Sequence, residues 1–128
     1  MPTFNDLARL LRAGAAGAYA DEAAVQLLIT HQLWLLRSDF THHAIEYDNN
    51  DAPTRAVVNW PTAVTLLDTG CLPCSRSEAN ILAIGASLAS PARVPLAVIS
   101  NLDPTNLAAV LTAIAHAGGH RHTQVKLG

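Results

Sequence analysis

Apolar positions recur at helical spacing along most of the chain, in short runs separated by polar or glycine-bearing breaks. Phe4, Leu7, Leu10 and Leu11 fall on one face of a first helix over 3–13, with Thr3 and Asp6 as its cap and first turn. Gly14 and Gly17 then loosen the chain. Asp21 is placed to cap a second helix over 22–37, where Val25, Leu28, Ile29, Leu33 and Leu36 make one stripe and Leu27, Trp34 and Leu35 widen it. Such a helix, apolar on nearly all sides, is either central or at a subunit interface. Ser38 restarts a short helix over 39–46, with Phe40, Ala44 and Tyr47 in register, and 48–53 is a polar loop.

The segment 56–59 is too short for periodicity to decide and reads as a brief extended piece. Asn59 or Trp60 precedes Pro61 at the start of a helix that Ala63, Val64, Leu66 and Leu67 carry to Asp68, with Gly70 ending it. Ser75-Arg76-Ser77-Glu78 is a capping box opening a helix to about Ser90, with Ile81, Ile84 or Gly85, and Leu88 inward and Pro91 as its stop. The segment 94–99 is read as a helical turn, because little else could pair with a strand there. Asp103 before Pro104 opens the last helix, with Leu107, Val110, Leu111 and Ile114 as its core face and Gly118-Gly119 at its end. Residues 120–128 read as a frayed polar tail. The pattern predicts an all-α fold: a single helical domain over 1–128, a compact bundle of five to six helices with at most one short extended segment.

Composition supports that picture. Half of the 128 residues are apolar, enough for one core without disulfides, and small residues such as Gly85, Ala86 and Ala89 let helices approach closely. A net charge of −2 with eight scattered Lys and Arg residues disfavours nucleic acid. No apolar stretch reaches membrane-spanning length, and the first six residues lack a basic segment leading into an apolar one. The expectation is a cytoplasmic protein with no membrane partner and reduced thiols.

Three constellations could carry chemistry. Cys71-Leu72-Pro73-Cys74 precedes the capping box, where a helix dipole stabilises thiolates. It resembles the Cys-x-Pro-Cys site of thioredoxin-like proteins, and Val94-Pro95 resembles the Val-Pro step of their substrate loop. The interval between Cys74 and Pro95 holds scarcely more than one helix, however, and the Trp that often precedes the first cysteine is replaced by Asp68-Thr69-Gly70. The bland alternative is a turn in which Pro73 fixes the backbone and Cys74 packs as a small hydrophobe. Cys71 and Cys74 could also join His116 and His120 as zinc ligands, although His116 is expected on the polar side of its helix, roughly opposite Ile114. On a continuous helix Asp39 would face His43 and His42 would face Glu46, the spacing by which a carboxylate orients an imidazole base. His31, within the apolar second helix, reads as a hydrogen-bonded core or interface histidine. Phosphate-loop, nucleophile-elbow and His-Glu-x-x-His motifs are absent, and no cofactor is implied.

The run from Trp60-Pro61-Thr62-Ala63 through Leu67-Asp68-Thr69-Gly70-Cys71-Leu72-Pro73-Cys74-Ser75-Arg76-Ser77-Glu78, with Leu102-Asp103 and Asn106, resembles a set of small uncharacterised actinobacterial proteins. The likeness extends loosely to Trp34 and Asp39-Phe40. It implies an all-helical fold and, because an acidic residue is more usual at the place of Cys71, weakens a two-thiol site. The expectation is therefore a non-enzymatic interaction module acting as a homodimer, with Leu27, Trp34 and Leu35 at the interface and Trp60 in the core. The competing expectation is a thiol-dependent protein using Cys71 and Cys74 for disulfide exchange or metal capture.

Overall fold

In the computed structural model, which describes residues 2–127, helices begin where the sequence places side-chain acceptors. Thr3 Oγ1 accepts the Asp6 N–H (3.1 Å) at the head of α1 (Phe4–Ala15). Asn59 Oδ1 accepts the Thr62 N–H (3.0 Å) before α5 (Trp60–Asp68). At α6 (Arg76–Ala89) the capping box is complete: Ser75 Oγ accepts the Glu78 N–H (3.1 Å), and Glu78 Oε1 accepts the Ser75 N–H (2.7 Å). Asp103 Oδ1 accepts the Asn106 N–H (2.8 Å) at the head of α7 (Pro104–Ala117). Each cap satisfies a backbone donor that the first helical turn leaves unpaired.

Gly14 does not loosen the chain. It continues α1 to Ala15, and a Cβ there would collide with the Ala56 carbonyl oxygen, so its missing side chain lets the helix lie against the extended segment. Helix α2 (Tyr19–His31) starts two residues before Asp21, with Asp21 and Glu22 in its first turn; the Glu22 carboxylate takes the Gly17 N–H (2.9 Å). α2 is central, packed most extensively against α6 and α7.

The expected 22–37 helix is broken at Gln32, whose φ of 71° ends α2 and starts the single turn α3 (Leu33–Leu36). The break has a packing cause. On an unbroken helix Trp34 would lie directly along the helix from Leu27 and share its surroundings. Instead Leu27 joins Ala23, Ile81, Ile84, Val110 and Ala113 in a cluster between α2, α6 and α7, whereas Trp34 is swung into the larger core. There it meets Phe40 of α4 (Ser38–Ala44) at 5.6 Å between ring centroids and donates its Nε1–H to the Glu78 carbonyl (3.0 Å).

The short helix also ends earlier than its spacing suggests. Residues Ile45–Tyr47 form β1, antiparallel to β2 (Ala56–Val58), pairing Ile45 with Val58, Glu46 with Val57 and Tyr47 with Ala56. The expected extended piece at 56–59 thus finds its partner in residues read as helical, while 96–99 of the expected turn open a 3-10 helix, Leu96–Asn101, that Pro95 precedes. The intervening loop is held by Asp48, whose Oδ1 accepts the N–H groups of Thr54 (2.9 Å) and Arg55 (3.1 Å). These bonds, led by that from the Thr54 hydroxyl, hold the carboxyl down at about 2.

Seven α-helices and one 3-10 helix make the described fold eight-helical, above the expected five to six, with one two-stranded ribbon. Trp60 is buried as expected, its ring lying over Gly85, where a Cβ would stand 3.1 Å from the indole. Among the described residues no helix is long and apolar enough to cross a membrane.

Candidate functional site

The Cys71-Leu72-Pro73-Cys74 corner turns the chain from α5 into α6. Gly70, at φ 77°, ends α5, and the Cys71 N–H reaches back to the Leu66 carbonyl (2.9 Å). Leu72, 3% exposed, is the residue that plugs the core; both cysteines are exposed free thiols, so the reading of Cys74 as a buried small residue is corrected. Arg37 straps the corner down. Its Nη1 donates to the Pro73 carbonyl (2.7 Å), its Nε and Nη2 bind the Asp39 carboxylate as a fork (3.0 and 2.6 Å), and its guanidinium stacks over Trp34 at 4.8 Å. Partial desolvation and the Glu78 carboxylate push the Cys74 thiol above its ordinary value, against an opposing pull from Arg37. The helix terminus therefore does not make Cys74 the stabilised thiolate that its position suggested.

The structure also separates the other sequence candidates. Asp39, which spacing paired with His43, is bound by Arg37, and that hydrogen-bonded fork holds its carboxyl below the usual range. Glu46 leaves the helix for β1, where it accepts from Asn59 Nδ2 (3.4 Å), while exposed His42 and His43 stand edge to face at 4.9 Å. No carboxylate hydrogen-bonds either imidazole among the described residues. His31 is half-buried; its Nδ1 lacks a hydrogen-bond partner among those residues, and desolvation holds its pKa below the usual value. His116 points to α2, not to the cysteines, and His120 is exposed. Among the described residues no three His, Cys, Asp or Glu side chains converge as a metal shell.

Sequence reasoning missed a polar cluster built across the two ends of the chain. Glu22 Oε1 meets His116 Nε2 at 2.9 Å and Arg121 Nε at 3.2 Å, while Oε2 takes the Gly17 N–H. Arg121 also lies over the Tyr19 ring at 5.5 Å. The His116 hydrogen bond, ahead of the Gly17 amide, holds the Glu22 carboxyl below its ordinary value. Only the acid at position 22 in a first turn and the histidine in a last turn hinted at it, and 94 residues separate them. The cluster anchors residues 121–127, which were expected to fray: the chain folds back along α7, and the Val125 N–H donates to Thr112 Oγ1 (2.9 Å).

The apolar surface also lies elsewhere than expected. Leu27, Trp34 and Leu35 are 1%, 0% and 5% exposed, consumed by the domain's own two clusters, so they form no interface. The under-buried helix is α7. From 104 to 115 it carries no charged side chain, yet it buries only Val110 and Ala113. Of the predicted core face, Leu107 and Leu111 are half-buried and Ile114 is 45% exposed, and none of the three packs against either apolar cluster. At i, i+4 and i+7 they form a stripe beside Ala108 and Ala115.

Comparison of the chain with protein-family models, curated proteins and solved structures finds no match.

Proposed function

We propose that this chain is a non-enzymatic protein-interaction module that pairs with a second copy of itself through the outer face of α7. The observation that carries this reading is the stripe Leu107–Leu111–Ile114, partly exposed and outside both apolar clusters, on a helix with no charged side chain between 104 and 115. A two-fold axis through Leu111 sets that residue against itself and Leu107 against Ile114 of the second copy, and Ala115 allows close approach. The antiparallel arrangement also brings Asp103, at the head of one helix, toward the exposed His120 beyond the end of the other.

Completing the burial of six such side chains is worth about 1 kcal/mol each. That total of about 6 kcal/mol corresponds to a Kd of about 40 µM before the cost of association, so the pair is weak, with a Kd of about 100 µM or above. Light scattering on a sizing column at ~500 µM is expected to give a dimer mass for the native chain and a monomer mass for Leu111→Glu, with equal helical circular dichroism. A monomer at that concentration for the native chain rejects the pairing. The competing thiol-dependent reading rests on the exposure of Cys71 and Cys74, and the raised Cys74 pKa counts against it.

A further inference from the structure

A second feature of α7 lies away from the Leu107–Leu111–Ile114 stripe. Between α2, α7 and the returning segment 121–127 runs a cleft of about 670 Å³, within the ~300–1,000 Å³ range of small-molecule sites. It exists because the α7 side chains lining it, Ala108, Ala109, Thr112 and Ala113, are too short to fill the space, and because the returning segment is held off by its two anchors. Leu27 and Val125 close it on either side with apolar surface, and Thr30, Thr105 and Gln124 supply hydrogen-bonding groups. No Asp or Glu lines it, whereas Arg121 and Lys126 do. Arg121 is engaged by Glu22; Lys126 has no ion-pair partner among the described residues.

We infer that this cleft binds a small amphipathic carboxylate, its apolar chain along the alanine floor and its head at Lys126. From Thr105 to His116 the floor runs for ~16 Å, room for an extended chain of about ten carbons. Charge complementarity selects the anionic head: among the described residues the lining carries Arg121 and Lys126 and no carboxylate, which favours a carboxylate and rejects a cation.

The test is a backbone-amide NMR titration of the full chain with decanoate and, separately, with decyltrimethylammonium, a cation of the same chain length. Saturable shifts with decanoate confined to 26–30, 105–116 and 121–127 are expected, with no saturation by the cation. Lys126→Glu, an exposed change, is expected to weaken decanoate about tenfold. Ala108→Leu, which fills the floor, is expected to abolish saturation while the spectrum stays dispersed. The inference is overturned if decanoate gives no saturable shift up to ~5 mM, if the cation binds as tightly, or if either variant binds like the native chain. Because Leu107, Leu111 and Ile114 do not line the cleft, Leu111→Glu leaves decanoate binding intact, so failure of self-pairing and failure of this site are separately visible.

Discussion

Glu22 illustrates how one side chain can hold together distant parts of a fold. Its two oxygens serve the Gly17 backbone, the His116 ring and the Arg121 guanidinium. Folding lowers its pKa below 4.5, chiefly through the His116 hydrogen bond, so the carboxylate adds stability above the unfolded-state value and loses it as pH falls through the folded one. Glu22→Gln is therefore expected to be about 1 kcal/mol less stable than the native chain at pH 7. Urea denaturation should show that gap closing as the pH drops below 4.5; a gap constant with pH assigns the loss to packing instead. In α3, Trp34→Phe keeps most of the buried ring but deletes the donor to the Glu78 carbonyl, and is expected to cost about 1–2 kcal/mol by the same measurement. At this scale the sequence was informative about helix caps and misleading about partners chosen by the direction in which a side chain turns. Ser75 and Glu78 are three residues apart and their reciprocal cap was legible. Asp39 was assigned to His43 because nothing in one dimension shows that Arg37, two residues back, turns a fork toward it.

Among the elements, those with a chemical start or stop were readable and those set by tertiary packing were not. Asn59 with Pro61 and Asp103 with Pro104 announce their helices. Gln32 announces nothing, since glutamine is a good helix former, and the break there comes from the burial of Trp34 against Phe40 and α6. That positive φ is strained for a side chain with a Cβ. Gln32→Gly is expected to raise the melting temperature and Gln32→Ile to lower it, each by about 1 kcal/mol or somewhat more in stability. Gly14 works in the opposite sense: Gly14→Ala, ordinarily favourable within a helix, is expected to destabilise by about 2 kcal/mol because the new methyl meets the Ala56 carbonyl. The β1–β2 ribbon was half legible, its second strand suspected and its first hidden behind Phe40, Ala44 and Tyr47, whose spacing suits a helix equally well.

For the whole molecule, the expectation of an under-covered apolar helix fell on α2, whereas the helix left partly uncovered is α7. α2 is apolar on most sides and covered by α1, α6 and α7; α7, uncharged from 104 to 115, has one side open. Hydrophobicity alone cannot distinguish them, since both read the same in one dimension and only the topology decides which is central. If α7 pairs with a second copy, the melting temperature of the native chain rises with protein concentration, while that of Leu111→Glu does not. Differential scanning calorimetry over a hundredfold concentration range separates the two.

The central position of α2 also sets an order on the ribosome. Ala23 and Leu27 meet their apolar neighbour Ile81 only after more than fifty further residues have been made, and Val110 and Ala113 after more than eighty. Throughout that interval the side of α2 that carries Ala23 and Leu27 lacks its native cover, although α1 is already made. The nascent chain is accordingly expected to be most vulnerable to aggregation, and most dependent on chaperones, before α7 emerges. A release of sensitivity should follow once it has.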